Sequence, residues 1–125
     1  MALRDVGRPE MADHIVQRLF RLTENANPTD PDYFKRAAIC MQSVALIATK
    51  MDEHGQTAEA VEILARIRNH FSLSWKLYDS DMNLTRARFA IDLYLQSYLM
   101  KLSKHQEADE LNQEISYINR LISQN

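Results

Sequence analysis

The chain is 125 residues long, 46% hydrophobic and 26% charged, with a formal net charge of −2. Such values describe one globular domain, residues 1–125, that hides roughly two thirds of its unfolded surface; they argue against wholesale disorder, two self-supporting domains and an overall basic footprint for nucleic acid. With only 2 glycines and 3 prolines, turns are few and elements long, which favours helices over a many-stranded sheet.

Residues 1–8 read as a flexible arm. A first helix is predicted from about Pro9 to Thr23, with Ile15, Val16, Leu19, Phe20 and Leu22 on one face. Residues 24–31 (ENANPTDP) read as a loop. The second helix has the clearest start: Asp30 as N-cap, Pro31 at the first helical position and Asp32 near the positive end of the dipole. Phe34, Ala38, Met41, Ala45 and Ala48 follow at alternating steps of four and three. That helix is expected to stop near His54, with Gly55 in the left-handed conformation that follows a helix end. Cys40 is the single cysteine, so no internal disulfide forms; between Ile39 and Met41 it reads as a small buried hydrophobe.

Thr57 is expected to cap a third helix whose stripe is Val61, Leu64, Ile67, Phe71, Trp75 and Tyr78, with a distortion where Ser72 and Ser74 interrupt it. Asp79-Ser80-Asp81 is the next break and supplies caps for a fourth helix. That helix runs to about Leu102 with Leu84, Ala87, Ile91, Leu95, Tyr98 and Leu102 inward. Ser103 to Gln106 has the spacing of a capping box. A fifth helix follows with Ala108, Leu111, Ile115, Ile118 and Ile122 in strict three-four alternation. The fourth and fifth are either two helices or one long kinked helix. The stripes cover one another first, since each large side chain contributes ~1.5–3 kcal/mol on burial. The predicted fold is all-α: four to five antiparallel helices in a bundle or a short stack, with hairpins 31–78 and 82–122 as its body.

Shifting the chain by 48 residues aligns the two hairpins. Ile47 falls on Leu95, Met51 on Leu99, Glu59-Ala60 on Glu107-Ala108, Ile63 on Leu111 and Ile67 on Ile115. A helix, a tight reversal and a second helix opening on a small Ala form a supersecondary unit used twice. The order Ile47-Ala48…Met51…Gly55…Ala60…Leu64 is large, small, large, Gly at the turn, Ala, large. In this it resembles a tetratricopeptide (TPR) helical hairpin over about residues 45–122. The second copy departs from the motif at Gln96, Ser103 and Asn112, and the period of 48 exceeds the motif's length of about 34 residues. The resemblance implies a protein- or peptide-binding scaffold without chemistry of its own.

Arg66-Ile67-Arg68-Asn69-His70-Phe71 is similar to the Arg-Asn stretch of some helical HEPN-type nuclease domains, which carry a His four to six residues beyond it. This chain has Ser74, Trp75 and Lys76 there, so the resemblance implies an inactive relative lacking its general acid/base. His14, His54, His70 and His105 are scattered, with no two-His pair at helical zinc spacing. With Gly7 and Gly55 alone, no phosphate-cradling loop can form. No catalytic residue, metal or cofactor is expected.

Recognition is the expected role. Six aromatic side chains, Phe71, Trp75, Tyr78, Tyr94, Tyr98 and Tyr117, exceed what a small core needs, and Trp, Tyr and Arg dominate binding hot spots. Residues 63–101 carry six cationic side chains against three acids, whereas 103–125 carry two against four. A partner groove is therefore expected between the third and fourth helices, with Trp75 and Tyr78 as anchors beside Phe71, and with Arg66, Arg68, Arg86 and Arg88 selecting acidic flanks. The seam 108–122 either closes the monomer or makes a homodimer. The function expected is a non-enzymatic adaptor, chaperone or inhibitor that binds another protein or peptide; the alternative is a nucleic-acid-associated helical domain, HEPN-like and inactive, using the Arg66–Arg88 face. No uncharged apolar run reaches about 18 residues, so no membrane is expected, and no signal-peptide pattern opens the chain; the expected address is cytoplasmic.

Overall fold

The structure is a computed structural model and describes residues 9–21, 31–71, 79 and 81–124. Its elements are α1 (Pro9–Phe20), α2 (Pro31–Glu53), α3 (Thr57–Phe71), α4 (Met82–Lys101), α5 (His105–Glu110) and α6 (Asn112–Ser123). No strand occurs among the described residues, so the all-α fold is as predicted. No helix is long and apolar enough to cross a membrane among those residues. The 1–8 arm, Leu22 and Thr23, the loop with Asp30, and the Trp75–Tyr78 end of the third stripe lie outside the described residues.

Helices α2 and α3 form one antiparallel hairpin, and α4 with α5–α6 forms the next. Helix α1 packs on α2 and α3, α2 and α3 both pack on α4, and α5 and α6 pack on α4. Lys101 Nζ reaches Asp52 Oδ1 at 2.7 Å, pairing the C-terminal ends of α2 and α4. Both hairpin turns therefore sit at one end of the stack, and His54 and His105 are exposed there. The core face of α2 is broader than its predicted stripe. Phe34 and Ala38 are half-buried, while Ala37, Cys40, Val44, Ile47 and Met51 join Met41, Ala45 and Ala48 inside. The cause is position: α2 has neighbours on three sides, so one stripe cannot cover it. Burial pushes the Cys40 thiol up to about 12, which makes it an inert hydrophobe.

The two turns share one hydrogen-bond pattern. After α2, Gln56 N–H donates to Met51 O at 2.8 Å and Gly55 N–H to Asp52 O at 3.0 Å. After α4, Lys104 N–H donates to Leu99 O at 2.9 Å and Ser103 N–H to Met100 O at 3.0 Å. Both are the paired six-to-one and five-to-two closures that satisfy the last carbonyls of a helix, and both need a left-handed residue. Gly55 supplies it at φ 78° and Ser103 at φ 61°. The chain thus breaks at Ser103 rather than continuing as one kinked helix. The expected capping box does not form, because a residue that ends one helix in the left-handed region cannot hold the extended N-cap geometry of the next. Lys104 is the N-cap of α5 and offers no side-chain bond. Thr57 differs from expectation too: its hydroxyl donates to Asp52 Oδ1 at 2.7 Å across the turn. Asp81 caps α4 as predicted, accepting from Leu84 N–H at 3.0 Å.

The repeat extends further than the two hairpins. Helix α1 starts 48 residues before α3, at Pro9 and Thr57, and Val16 and Leu64 at equivalent positions are both fully buried. Helices α1, α3 and α5 thus start at matching positions of the 48-residue shift, Pro9, Thr57 and His105. Within the repeat, Ala48 and Leu64 are apolar and buried, but their counterparts Gln96 and Asn112 hydrogen-bond each other at 2.7 Å. Gln96 also donates to Ala108 O at 2.9 Å, beside the break at Leu111, whose N–H reaches back three residues to the same carbonyl. Two departures from the pattern thus satisfy one another.

Since Ser103 holds a conformation that costs an L-residue about 1 kcal/mol or more and a glycine little, Ser103→Gly should stabilise the protein by about 1 kcal/mol while Gly55→Ala destabilises it by a similar amount; urea unfolding followed by circular dichroism measures both.

Candidate functional site

Helix periodicity puts Arg88 and Asp92 inside the apolar face of α4: Leu84, Arg88, Asp92, Leu95 and Leu99 follow at steps of four, four, three and four. Arg88 is 7% exposed and Asp92 1%. Charges buried this deeply need partners, and they come from three other segments. Glu114 on α6 stands between two guanidiniums. It accepts from Arg68 Nε at 3.0 Å and Nη2 at 2.5 Å on one oxygen, and from Arg88 Nη2 at 2.7 Å on the other. Arg68 Nε also lies 3.2 Å from Asp92 Oδ1. Arg88 Nη1 reaches Asp79 Oδ1 at 3.3 Å, and the Tyr117 hydroxyl donates to Asp79 Oδ2.

Asp92 and Glu114 share one guanidinium, that of Arg68, and two carboxyls held this close favour a proton on one of them. Burial pushes the Asp92 carboxyl up, with the neighbouring Glu114 adding to it, to about 8. Burial also raises Glu114, but hydrogen bonds with Asp92, Arg88 and Arg68 outweigh it and hold its carboxyl well below the usual range. The second Asp92 oxygen, Oδ2, is buried with no donor against it, an environment that disfavours the charged form.

Above this cluster runs a groove of about 570 Å³, larger than the hollow of about 440 Å³ on α6 beside Asn112 and Arg120. Its walls are α3 (Val61, Ala65, Arg68) and α5 (Glu107, Glu110), and its floor is Leu95 and Leu99 of α4 with Leu111. Val61 and Ala65 are half-buried. Arg68 belongs to both the groove and the cluster.

The residues expected to form the partner surface divide accordingly. Arg68 lines the groove. Phe71 is 1% exposed and belongs to the core, where His70 meets its ring edge-on; burial at that stripe position removes it from the surface. Arg88 is buried against Asp79 and Glu114, so its charge is already answered. Arg66 lies over the Phe20 ring at 5.6 Å, and Arg86 is exposed. Trp75 and Tyr78 lie outside the described residues. The seam 108–122 packs against α4 within the chain, with Ile118 fully buried. In the stretch Arg66–Phe71, His70 stacks on Phe20 with centroids 4.8 Å apart. Among the described residues no three His, Cys, Asp or Glu side chains converge as a metal site. Asp92 and Glu114 were not singled out from sequence; the signal available was an opposite-charge pair four apart within an apolar stripe.

Comparison of the chain with protein-family models, curated proteins and solved structures finds no match.

Glu114→Ala would leave the buried Arg88 and half-buried Arg68 without their shared anion and should cost about 3 kcal/mol, whereas Glu110→Ala on the exposed rim should stay within about 0.5 kcal/mol; denaturant unfolding of the two variants compares them. The pH dependence has a definite sign. Unfolded, Asp92 loses its proton near the ordinary value of 3.8; folded, it keeps it to about 8. The native state binds more protons across that window, so this group makes stability fall as pH rises from about 4 to about 8 and level off above it. Asp92→Asn, which carries a permanent donor, should flatten that slope in a series of thermal melts.

Proposed function

We propose that the chain is a non-enzymatic protein-interaction module, an adaptor, chaperone or inhibitor, that seats a partner peptide or helix in the groove between α3, α4 and α5. The observation that carries this reading is the groove's construction. Five apolar residues, Val61, Ala65, Leu95, Leu99 and Leu111, line a cleft set between three elements, the geometry in which grooves take amphipathic helices. The charged groups next to it support the same reading, because they answer one another: Arg68 and Arg88 are held by Asp92, Glu114 and Asp79. Arg68 and Arg88 therefore lend little to an acidic or nucleic-acid partner, and the groove carries the reading in place of the Arg66–Arg88 face.

Ala65 is small and lies in the wall, so Ala65→Trp fills the groove while leaving the core layers alone. Affinity capture with the full chain from its source cells should recover a protein whose yield falls at least about tenfold, some 1.4 kcal/mol, with Ala65→Trp. Nuclease treatment should leave that yield intact, as should Asn119→Trp on the exposed side of α6. Recovery that ignores Ala65→Trp, or that nuclease abolishes, would refute the proposal.

A further inference from the structure

The groove has a charge as well as a shape. Glu107 and Glu110 stand exposed on its α5 wall. Neither carboxylate has a cationic partner among the described residues. Asp109 is exposed between them. On the opposite wall the only charge is Arg68, and Asp92 and Glu114 already hold it. Lys101 at the turn end is paired with Asp52, which leaves Lys104 as the cation there among the described residues. The cleft therefore presents a negative rim over an apolar lining, half-buried at Val61 and Ala65 and buried deeper at Leu95, Leu99 and Leu111. The acid pair also recurs one repeat earlier, as Glu59 and Glu62 at the same register of α3.

Resting on the groove reading above, we infer that the occupant is a basic amphipathic helix, its apolar stripe on Val61, Ala65, Leu95, Leu99 and Leu111 and a pair of Lys or Arg side chains on Glu107 and Glu110. The rim acids are three residues apart, roughly 4.5 Å along the axis of α5. Cationic residues three or four apart on one face of a helix lie at matching separation. Two charges in such a rim steer and select more than they bind, and salt screens them. The sign is opposite to that expected from the cationic excess of residues 63–101, because Glu114 and Asp79 cancel that excess inside the fold.

A displayed library of random amphipathic helical peptides, selected on the full-length chain, tests this. Enriched peptides that lose binding to Ala65→Trp should carry Lys or Arg three or four positions apart beside the apolar stripe. Synthetic copies should bind the Glu107→Lys/Glu110→Lys chain on the order of tenfold more weakly at low salt, with the difference shrinking as salt rises. Exchanging the peptide's basic pair for Glu should restore binding to that variant. Groove-dependent peptides that are neutral or acidic, or that bind the charge-reversed chain equally well, would overturn the inference while leaving the groove intact. If no enriched peptide responds to Ala65→Trp, the groove reading itself falls. A single-stranded RNA oligomer should bind the charge-reversed chain better than the native one; the opposite order would also overturn the inference.

Discussion

One carboxylate organises this structure. Glu114 joins α6 to α3 through Arg68 and to α4 through Arg88, and it does so inside an apolar face. Ion pairs in such places contribute little net stability compared with well-packed hydrophobic residues, because desolvation offsets the attraction, yet removing one partner is costly. Their value here is register. The stripe Ala108, Leu111, Ile115, Ile118 and Ile122 repeats every three or four residues. A slip of one turn along α4 would still match apolar side chains to apolar side chains. A three-residue slip would bring Leu111 or Tyr117 between the two guanidiniums and a four-residue slip in one direction Ile118, so Glu114 disfavours those alignments; only the slip that brings Glu110 there keeps a carboxylate in place.

The proton on Asp92 follows from the same arrangement. Two guanidiniums meet three carboxyls in the cluster: Asp79, Asp92 and Glu114. With Asp92 neutral, two cations face two anions, and the buried site carries no net charge. Glu114, bonded by both arginines, is the carboxyl that stays ionised. Asp92 is the more deeply buried of the two, so it is the one whose charge costs most.

Much of the fold was legible because helix periodicity and cap chemistry are local. Asp81 at the start of α4, Gly55 after α2 and Cys40 in the core follow from neighbours a few residues away. Ser103 was not legible as a left-handed terminator, since serine followed three residues later by glutamine signals a cap more strongly than an end; only the closure onto Leu99 and Met100 decides between them. The candidate site was less visible for a different reason. Of the residues expected to form a partner groove between the third and fourth helices, Arg68 lines the groove observed, while Val61, Ala65, Leu95, Leu99 and Leu111 were not read as groove residues. The charge of the groove could not be read either. Whether an arginine faces a partner or its own chain depends on a residue 46 positions away, Glu114, and sequence separation on that scale leaves no periodic trace. The opposite local charges of 63–101 and 103–125 were the visible sign, read as arginines that select acidic flanks of a partner, when they are in part the two sides of one buried contact.

The repeat explains why the groove lies where it does. Leu95 and Leu99 in its floor are the counterparts of Ile47 and Met51 in the preceding layer, and all four are buried. In that layer Phe20 of α1 stands at the position Arg68 occupies in α3, and it packs beneath Arg66 and against His70. An aromatic ring seals that edge by burial; a guanidinium at the equivalent site must turn toward its carboxylates instead. Replacing a ring by a paired cation thus removes apolar bulk from the edge of the second layer. The ion cluster and the cleft meet at Arg68, the position where the 48-residue shift exchanges a ring for a cation.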